Sequence, residues 1–151
     1  MKVAAIDLGS NSFLCLIAEK DHQGNLIEIY DTIEFVKLGE GVHKNKAFSQ
    51  AALQRADAAL CKFRKKINEM GVSKVSAVAT SAARDVSNKD EFFKICEKYQ
   101  IPVQIISGEN EGEYTYLGVL SGRPQKPEYT VIDIGGGSTE FAYKNKDEKE
   151  G

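Results

Sequence analysis

One short pattern occurs twice, and it sets what this chain can fold into. Near the N-terminus it reads Ala5-Ile6-Asp7-Leu8-Gly9-Ser10-Asn11-Ser12-Phe13. Near the C-terminus it reads Val131-Ile132-Asp133-Ile134-Gly135-Gly136-Gly137-Ser138-Thr139. Each copy is an apolar run, an aspartate, one more apolar residue, and a turn of small residues that leads back into strand-forming sequence. Ile6, Asp7, Gly9 and Ser12 recur as Ile132, Asp133, Gly135 and Ser138, an offset of 126 residues. Solenoid repeats have periods of about 20–50 residues. A spacing this long instead implies a duplicated domain, each half opening with the same hairpin.

The hairpin suits phosphate. Glycine allows backbone angles that other residues avoid and holds no side chain against a ligand. Successive N–H groups in such a turn form a concavity for anions. An aspartate just before the turn repels phosphate unless a divalent cation lies between them. Mg²⁺ takes one or two carboxylates, several waters and the substrate's phosphate oxygens. Asp7 and Asp133 are therefore the candidate metal ligands, approaching one Mg²⁺ from two sides of a cleft. Two ordinary hairpins with Gly-rich turns are the alternative, and the second matching copy weighs against it.

Composition narrows the class. With 151 residues, 42% hydrophobic and 28% charged, the chain has enough apolar sequence for a globular core. A net charge of −2 argues against a general nucleic-acid or membrane surface. Cys15, Cys61 and Cys96 are odd in number and form no metal-ligand spacing, so reduced thiols in a cytosolic protein are expected. The apolar runs are too short to span a membrane.

Read in order, Lys2–Leu8, Ser12–Glu19 and Leu26–Val36 form a three-stranded meander. Residues 38–42 read as a flexible loop. Ser49 caps a helix that ends at Gly71, with Leu53, Ala56, Leu60, Phe63, Ile67 and Met70 on one apolar stripe. Lys62, Arg64, Lys65 and Lys66 crowd its last turns, as a solvated face or as a polyanion dock, the first favoured. Val75–Ala79 is a fourth strand, and a loop over residues 80–84 follows. Asn88 caps a second helix through Tyr99. Val103–Ile106 is a fifth strand, and a third helix covers about residues 109–120. The sequence predicts an α/β fold: a mixed five-stranded sheet with flanking helices, ligands binding at strand C-terminal ends. Residues 1–122 form the first domain, 123–128 a polar linker, and 129–151 the opening hairpin of a second, truncated domain. A lone hairpin is marginal in water. Its open edges predict disorder or pairing with a second copy, as a homodimer.

Four segments in order resemble one known family: Asp7–Phe13, Ala79–Arg84, Ile106–Glu111 and Asp133–Glu140. They are similar to the exopolyphosphatase and guanosine pentaphosphate phosphatase family (Ppx/GppA), with matching spacing over nearly the whole chain. The resemblance implies the ribonuclease H-like fold of actin, sugar kinases and heat-shock ATPases. It implies hydrolysis of a terminal phosphoryl group from polyphosphate or guanosine pentaphosphate, assisted by Mg²⁺, in a cleft between two such domains. By position, Glu111 matches the glutamate that polarises water, and Arg84 an arginine that contacts phosphate. Asp7 and Asp133 match the metal-proximal aspartates. Asn11, Ser12, Gly135, Gly136, Gly137 and Ser138 match the phosphate turns, and Glu140 a second-hairpin carboxylate. Glu113 departs from the pattern, because family members often have arginine there.

These residue types fit phosphoryl transfer, which needs positioning and charge neutralisation more than covalent chemistry. Arg84 supplies a forked, permanent cation. On a helix, Glu109 and Glu113 share one face while Glu111 projects elsewhere with Tyr114 and Thr115 nearby, so only one of the three acids need face the cleft. Alternatives remain: a first-turn acid for Glu111, a solvated cation for Arg84, a phosphate-binding module without catalysis, and a kinase on the same fold.

Overall fold

A computed structural model describes residues 1–84, 86–121 and 129–143. The expected linker, and the stretch after Tyr143, lie outside these residues. Strands β1 (Lys2–Leu8), β2 (Ser12–Lys20) and β3 (Leu26–Phe35) form the meander. A one-turn helix α1 (Val42–Asn45) precedes the long helix α2 (Gln50–Glu69). Then come β4 (Lys74–Ala79), a second one-turn helix α3 (Ser81–Arg84), α4 (Lys89–Lys98), β5 (Val103–Ile105) and α5 (Gly108–Ser121). The second hairpin, β6 (Thr130–Ile134) and β7 (Thr139–Tyr143), closes the described chain. Sequence periodicity had no hold on α1 and α3, since four residues are too few to show a helical stripe.

The main sheet has the order β3-β2-β1-β4-β5. The meander is antiparallel, and β4 and β5 run parallel to β1, so the sheet is mixed as expected. Parallel neighbours bring the C-terminal ends of β1, β4 and β5 to one edge. The turn after β1, helix α3 and the start of α5 therefore meet at that edge.

Helix α2 forms where the apolar stripe predicts. Ser49 accepts a hydrogen bond from the Ala52 N–H at 3.1 Å, and Gly71 leaves the helix with φ 64°. Leu53, Ala56, Leu60, Phe63 and Ile67 are buried, and Met70 packs at the core's margin. The inward residues of the meander, Ile6, Leu8, Phe13, Cys15 and Ile17, meet this stripe in a single core. Phe92 of α4 completes it, with its ring 6.1 Å from Phe13 and 5.7 Å from Phe48 between centroids. The basic end of α2 is committed locally. Lys62 pairs with Glu34, Lys66 with Glu69, and Arg64 donates to the carbonyls of Tyr99 and Gln100 at the end of α4.

Asn88 departs from expectation. Its side chain makes no capping bond to α4. Instead it accepts from the Phe48 N–H at 2.8 Å and donates to the Phe48 carbonyl at 3.1 Å. That reciprocal pair pins the entry of α2 to the entry of α4. A buried loop with two unpaired backbone groups is the more costly site to leave unsatisfied.

The second hairpin stands as its own two-stranded sheet and packs on α5. Its faces are assigned in reverse to those of the first hairpin. Positions matching the core residues Ile6, Leu8, Cys15 and Ile17 are Ile132, Ile134, Phe141 and Tyr143, which are 55–79% exposed. Positions matching the outward residues Asp7 and Leu16 are Asp133 and Ala142, which are half-buried, and Ala142 lies against Gly112 of α5.

Candidate active site

The two turns close in the same way. The Gly9 N–H donates to the Ser12 carbonyl and the Gly135 N–H to the Ser138 carbonyl, each at 3.0 Å. The duplication seen in the sequence is thus a duplication of backbone geometry. Neither turn uses a positive φ. The glycines are required by close approach instead. A Cβ on Gly136 would lie 2.8 Å from the Asn11 Cβ, and one on Gly137 would lie 2.7 Å from both the Ser10 and Ser81 hydroxyl oxygens. At Gly136 and Gly137 the second turn touches Asn11, Ser10 and Ser81 so closely that no side chain fits there. The Gly135 amide is engaged within its own turn by the Ser138 carbonyl.

Between the turns lies a cleft of about 310 Å³. Nine of the ten expected site residues line it: Asp7, Asn11, Ser12, Glu111, Asp133, Gly135, Gly136, Gly137 and Ser138. The tenth, Arg84, sits behind Glu111. Its Nε donates to the Ile106 carbonyl at 2.9 Å, and its guanidinium pairs with a Glu111 carboxylate oxygen. Arg84 thus anchors Glu111 in this state and is not itself a cleft wall. Helix α5 presents the acids as expected, with Glu109 and Glu113 exposed and the Glu111 side chain only 14% exposed. One turn on from Glu111, the Thr115 hydroxyl donates to Asp133 at 3.2 Å.

Ser10 and Ser81 were not singled out from sequence. Their hydroxyls hydrogen-bond at 2.8 Å and fasten the first turn to α3. The available signal was the position of residue 81, directly after a parallel strand's C-terminal end.

The electrostatics of the cleft are strongly acidic. Burial, and then the charge of Asp133, push the Asp7 carboxyl up to about 6. Glu111 is also raised, first by burial and next by Glu140, while Arg84 opposes the shift. Asp7 Oδ1 and Glu140 Oε2 are buried with no hydrogen-bond partner. Orphaned buried carboxylate oxygens are costly, and here Asp7 lies near the charge of Asp133 and Glu140 near that of Glu111. The donor set fits a divalent cation, with Asp7 and Asp133 as the residues that would hold it. Among the described residues no three-ligand cage exists. Mg²⁺ would therefore rest on one or two carboxylates, with waters and a phosphate completing its shell. The cysteines are remote from this chemistry: Cys15 and Cys96 are buried thiols, raised to about 11 and 12 mainly by burial.

A hollow of about 530 Å³ lies behind Glu140, between α5 and β7. Among the described residues it has no cation and neither turn, so the smaller cleft is the candidate site.

Residues 16–150 match the Ppx/GppA phosphatase family. The chain belongs to that family. Over 151 aligned residues it is 42% identical to a bifunctional 3-dehydroquinate synthase/phosphatase of Fusobacterium nucleatum, covering 94% of this chain and 23% of that protein. It is 38% identical to a candidate exopolyphosphatase of Haemophilus influenzae, covering 93% of this chain and 43% of the relative. The crystal structure of the Aquifex aeolicus Ppx/GppA family member superposes with a TM-score of 0.84 at 34% identity, covering 95% of this chain and 47% of that one. The chain therefore spans less than half the length of these relatives. Its fold is the expected one: the ribonuclease H-like fold of actin, sugar kinases and heat-shock ATPases, as a mixed five-stranded sheet with flanking helices.

Proposed function

We propose that this family member carries the water-activating half of a phosphohydrolase that releases the terminal phosphate of inorganic polyphosphate or guanosine pentaphosphate. The observation that supports this most is the convergence of Asp7, Asp133 and Glu111 on one cleft between two facing turns, with Arg84 bonded behind Glu111. Mg²⁺, held by Asp7 and Asp133, would offset the phosphate's charge. Every other part falls to the chain's own residues. The hydroxyl of Ser12, the Asn11 side chain and the remaining turn groups orient the phosphoryl group. Glu111 accepts hydrogen from the attacking water and sets it in line with the leaving oxygen. Its raised carboxyl strengthens it as a base, and the Arg84 guanidinium fixes its direction. The same guanidinium becomes a phosphate contact if the anion displaces Glu111 from it.

The opposite wall of the cleft begins at the second hairpin. Its exposed core-side face, Ile132, Ile134, Phe141 and Tyr143, supports the reading that a further layer covers it when the site is complete. Hydrolysis with water as acceptor is tested by phosphate release in ¹⁸O-labelled water with Mg²⁺, from long-chain polyphosphate and from guanosine pentaphosphate. One labelled oxygen per released phosphate supports the reading and the faster substrate names the specificity. Transfer to another acceptor without label would overturn it.

A further inference from the structure

The two aspartates of the cleft are copies of one another, but they are not held alike. Asp7 lies on β1, which is paired on both sides, with β2 and with β4. The middle of a five-stranded sheet sets its position. Asp133 lies on β6, whose strand partner among the described residues is β7 alone. An isolated two-stranded hairpin is marginal in water, so β6 needs support from outside the hairpin to place Asp133.

That support is nearly all van der Waals contact. Gly112 of α5 lies against Ala142 and Glu140, and Gly136 and Gly137 lie against Asn11, Ser10 and Ser81. Among the described residues no ion pair and a single hydrogen bond join residues 129–143 to the rest of the chain: the Thr115 hydroxyl donates to Asp133 Oδ2 at 3.2 Å. The first copy has no equivalent, and Asp7 Oδ1 is buried without a partner. A helical threonine can return its hydroxyl to the carbonyl four residues back. Here the proton goes across to β6 instead. Branching at Cβ restricts the Thr115 side chain to few rotamers, which holds the hydroxyl in place. Packing of small residues lets a hairpin slide along a helix, whereas a hydrogen bond has a preferred distance and direction. The bond also works against a repulsion, because the charge of Asp133 is close enough to raise the Asp7 carboxyl.

We propose that Thr115 is the positioning residue of the second hairpin: its hydroxyl fixes the register of β6 on α5 and so places Asp133 in one cleft with Asp7 and Glu111. The inference rests on the functional reading above and adds to it a residue that acts through Asp133. Thr115 stands one helical turn after Glu111, on the same side of α5. One rigid helix therefore carries the water-orienting carboxylate directly and the metal-side carboxylate through this hydroxyl.

Metal-free and metal-bound measurements together provide the test. The proteins are the wild type, Thr115→Val, Thr115→Ser, and a crosslinked form, Gly112→Cys with Ala142→Cys in a Cys61→Ser background, made with and without Thr115→Val. A Cβ on Gly112 would lie 3.8 Å from the Ala142 Cβ, a usual separation in a disulfide. Hydrogen exchange in chelator reports the protection of the β6 and β7 amides, and titration calorimetry reports the Mg²⁺ dissociation constant. We expect Thr115→Val to speed exchange in β6 and β7 by about tenfold, to leave β1 and β4 unchanged, and to weaken Mg²⁺ binding severalfold. Thr115→Ser should match the wild type in both measurements, and the crosslink should restore both in Thr115→Val. Exchange in β6 and β7 that Thr115→Val leaves unchanged would overturn the proposal. So would a crosslinked Thr115→Val that regains protection but still binds Mg²⁺ weakly, because the hydroxyl would then act on the carboxylate itself and not on its place. Absence of Mg²⁺ binding by the folded wild type would overturn the metal's part in the functional reading, while exchange, which needs no metal, still decides the role of Thr115.

Discussion

Asp7→Asn should stabilise the metal-free protein above pH 6, against the usual cost of altering a site residue. Burial and the charge of Asp133 raise the Asp7 carboxyl from 3.8 to about 6. An acid whose pKa is higher in the folded state holds its proton more tightly when folded. The folded state therefore loses stability as pH rises from about 4 through 6, and the whole penalty is present above that range. A shift of about two units corresponds to at most about 3 kcal/mol. Asp7 retains some contact with water, and screening reduces the figure to roughly 1–2 kcal/mol. In a chain of this size that is a rise in Tm of roughly 2–8 °C. Thermal unfolding followed by circular dichroism, in chelator, at about pH 4 and about pH 8, measures it. The variant should melt higher at the upper pH and coincide with the wild type at the lower. Adding Mg²⁺ at the upper pH should raise the wild type and narrow the gap, because a cation bound only by the folded state stabilises it. A variant that melts lower at the upper pH, or differs by the same margin at both, would refute the reasoning.

Three further outcomes follow from the geometry. Gly137→Ala forces a methyl against the Ser10 and Ser81 hydroxyls, so it should cost about 1–3 kcal/mol in chemical denaturation, and adding Ser10→Ala should recover part of that. Thr115→Val removes the hydroxyl that donates to Asp133; it should weaken Mg²⁺ binding severalfold by titration calorimetry, and Thr115→Ser should restore it. Phe92→Ala empties the ring that contacts Phe13 and Phe48 and should cost about 3–5 kcal/mol, read from the urea midpoint.

The sheet, its three long helices and their order were legible because each carries a strong local pattern: the period-two strands, and the stripe from Leu53 to Ile67. The candidate cleft was legible for a different reason. The repeat of Asp, Gly and Ser at fixed spacing marks both turns, and the acids of α5 fall on opposite faces by simple helical geometry. Three things were not legible. Helices α1 and α3 are single turns, fixed by contacts and not by periodicity. The partnership of Asn88 with Phe48 joins residues 40 apart, so no window of sequence contains both. The interlocking of Gly136 and Gly137 with Asn11 and Ser10 is a tertiary contact, and it assigns the glycines to close approach where sequence alone pointed to unusual backbone angles. The position of Arg84 belongs with these. Its charge pointed to phosphate, and only the fold shows that Glu111 is its partner.

The most direct test of the central claim is phosphate release from long-chain polyphosphate by the completed cleft, this chain together with the layer that covers its second hairpin, with Mg²⁺ and with chelator, beside Glu111→Gln. That substitution keeps the shape of residue 111 and removes its capacity to act as a base. The account predicts Mg²⁺-dependent release that falls by about 10²–10⁴ in the variant, while its melting temperature stays close to the wild type. Release that persists in chelator, or that Glu111→Gln leaves intact, would contradict it.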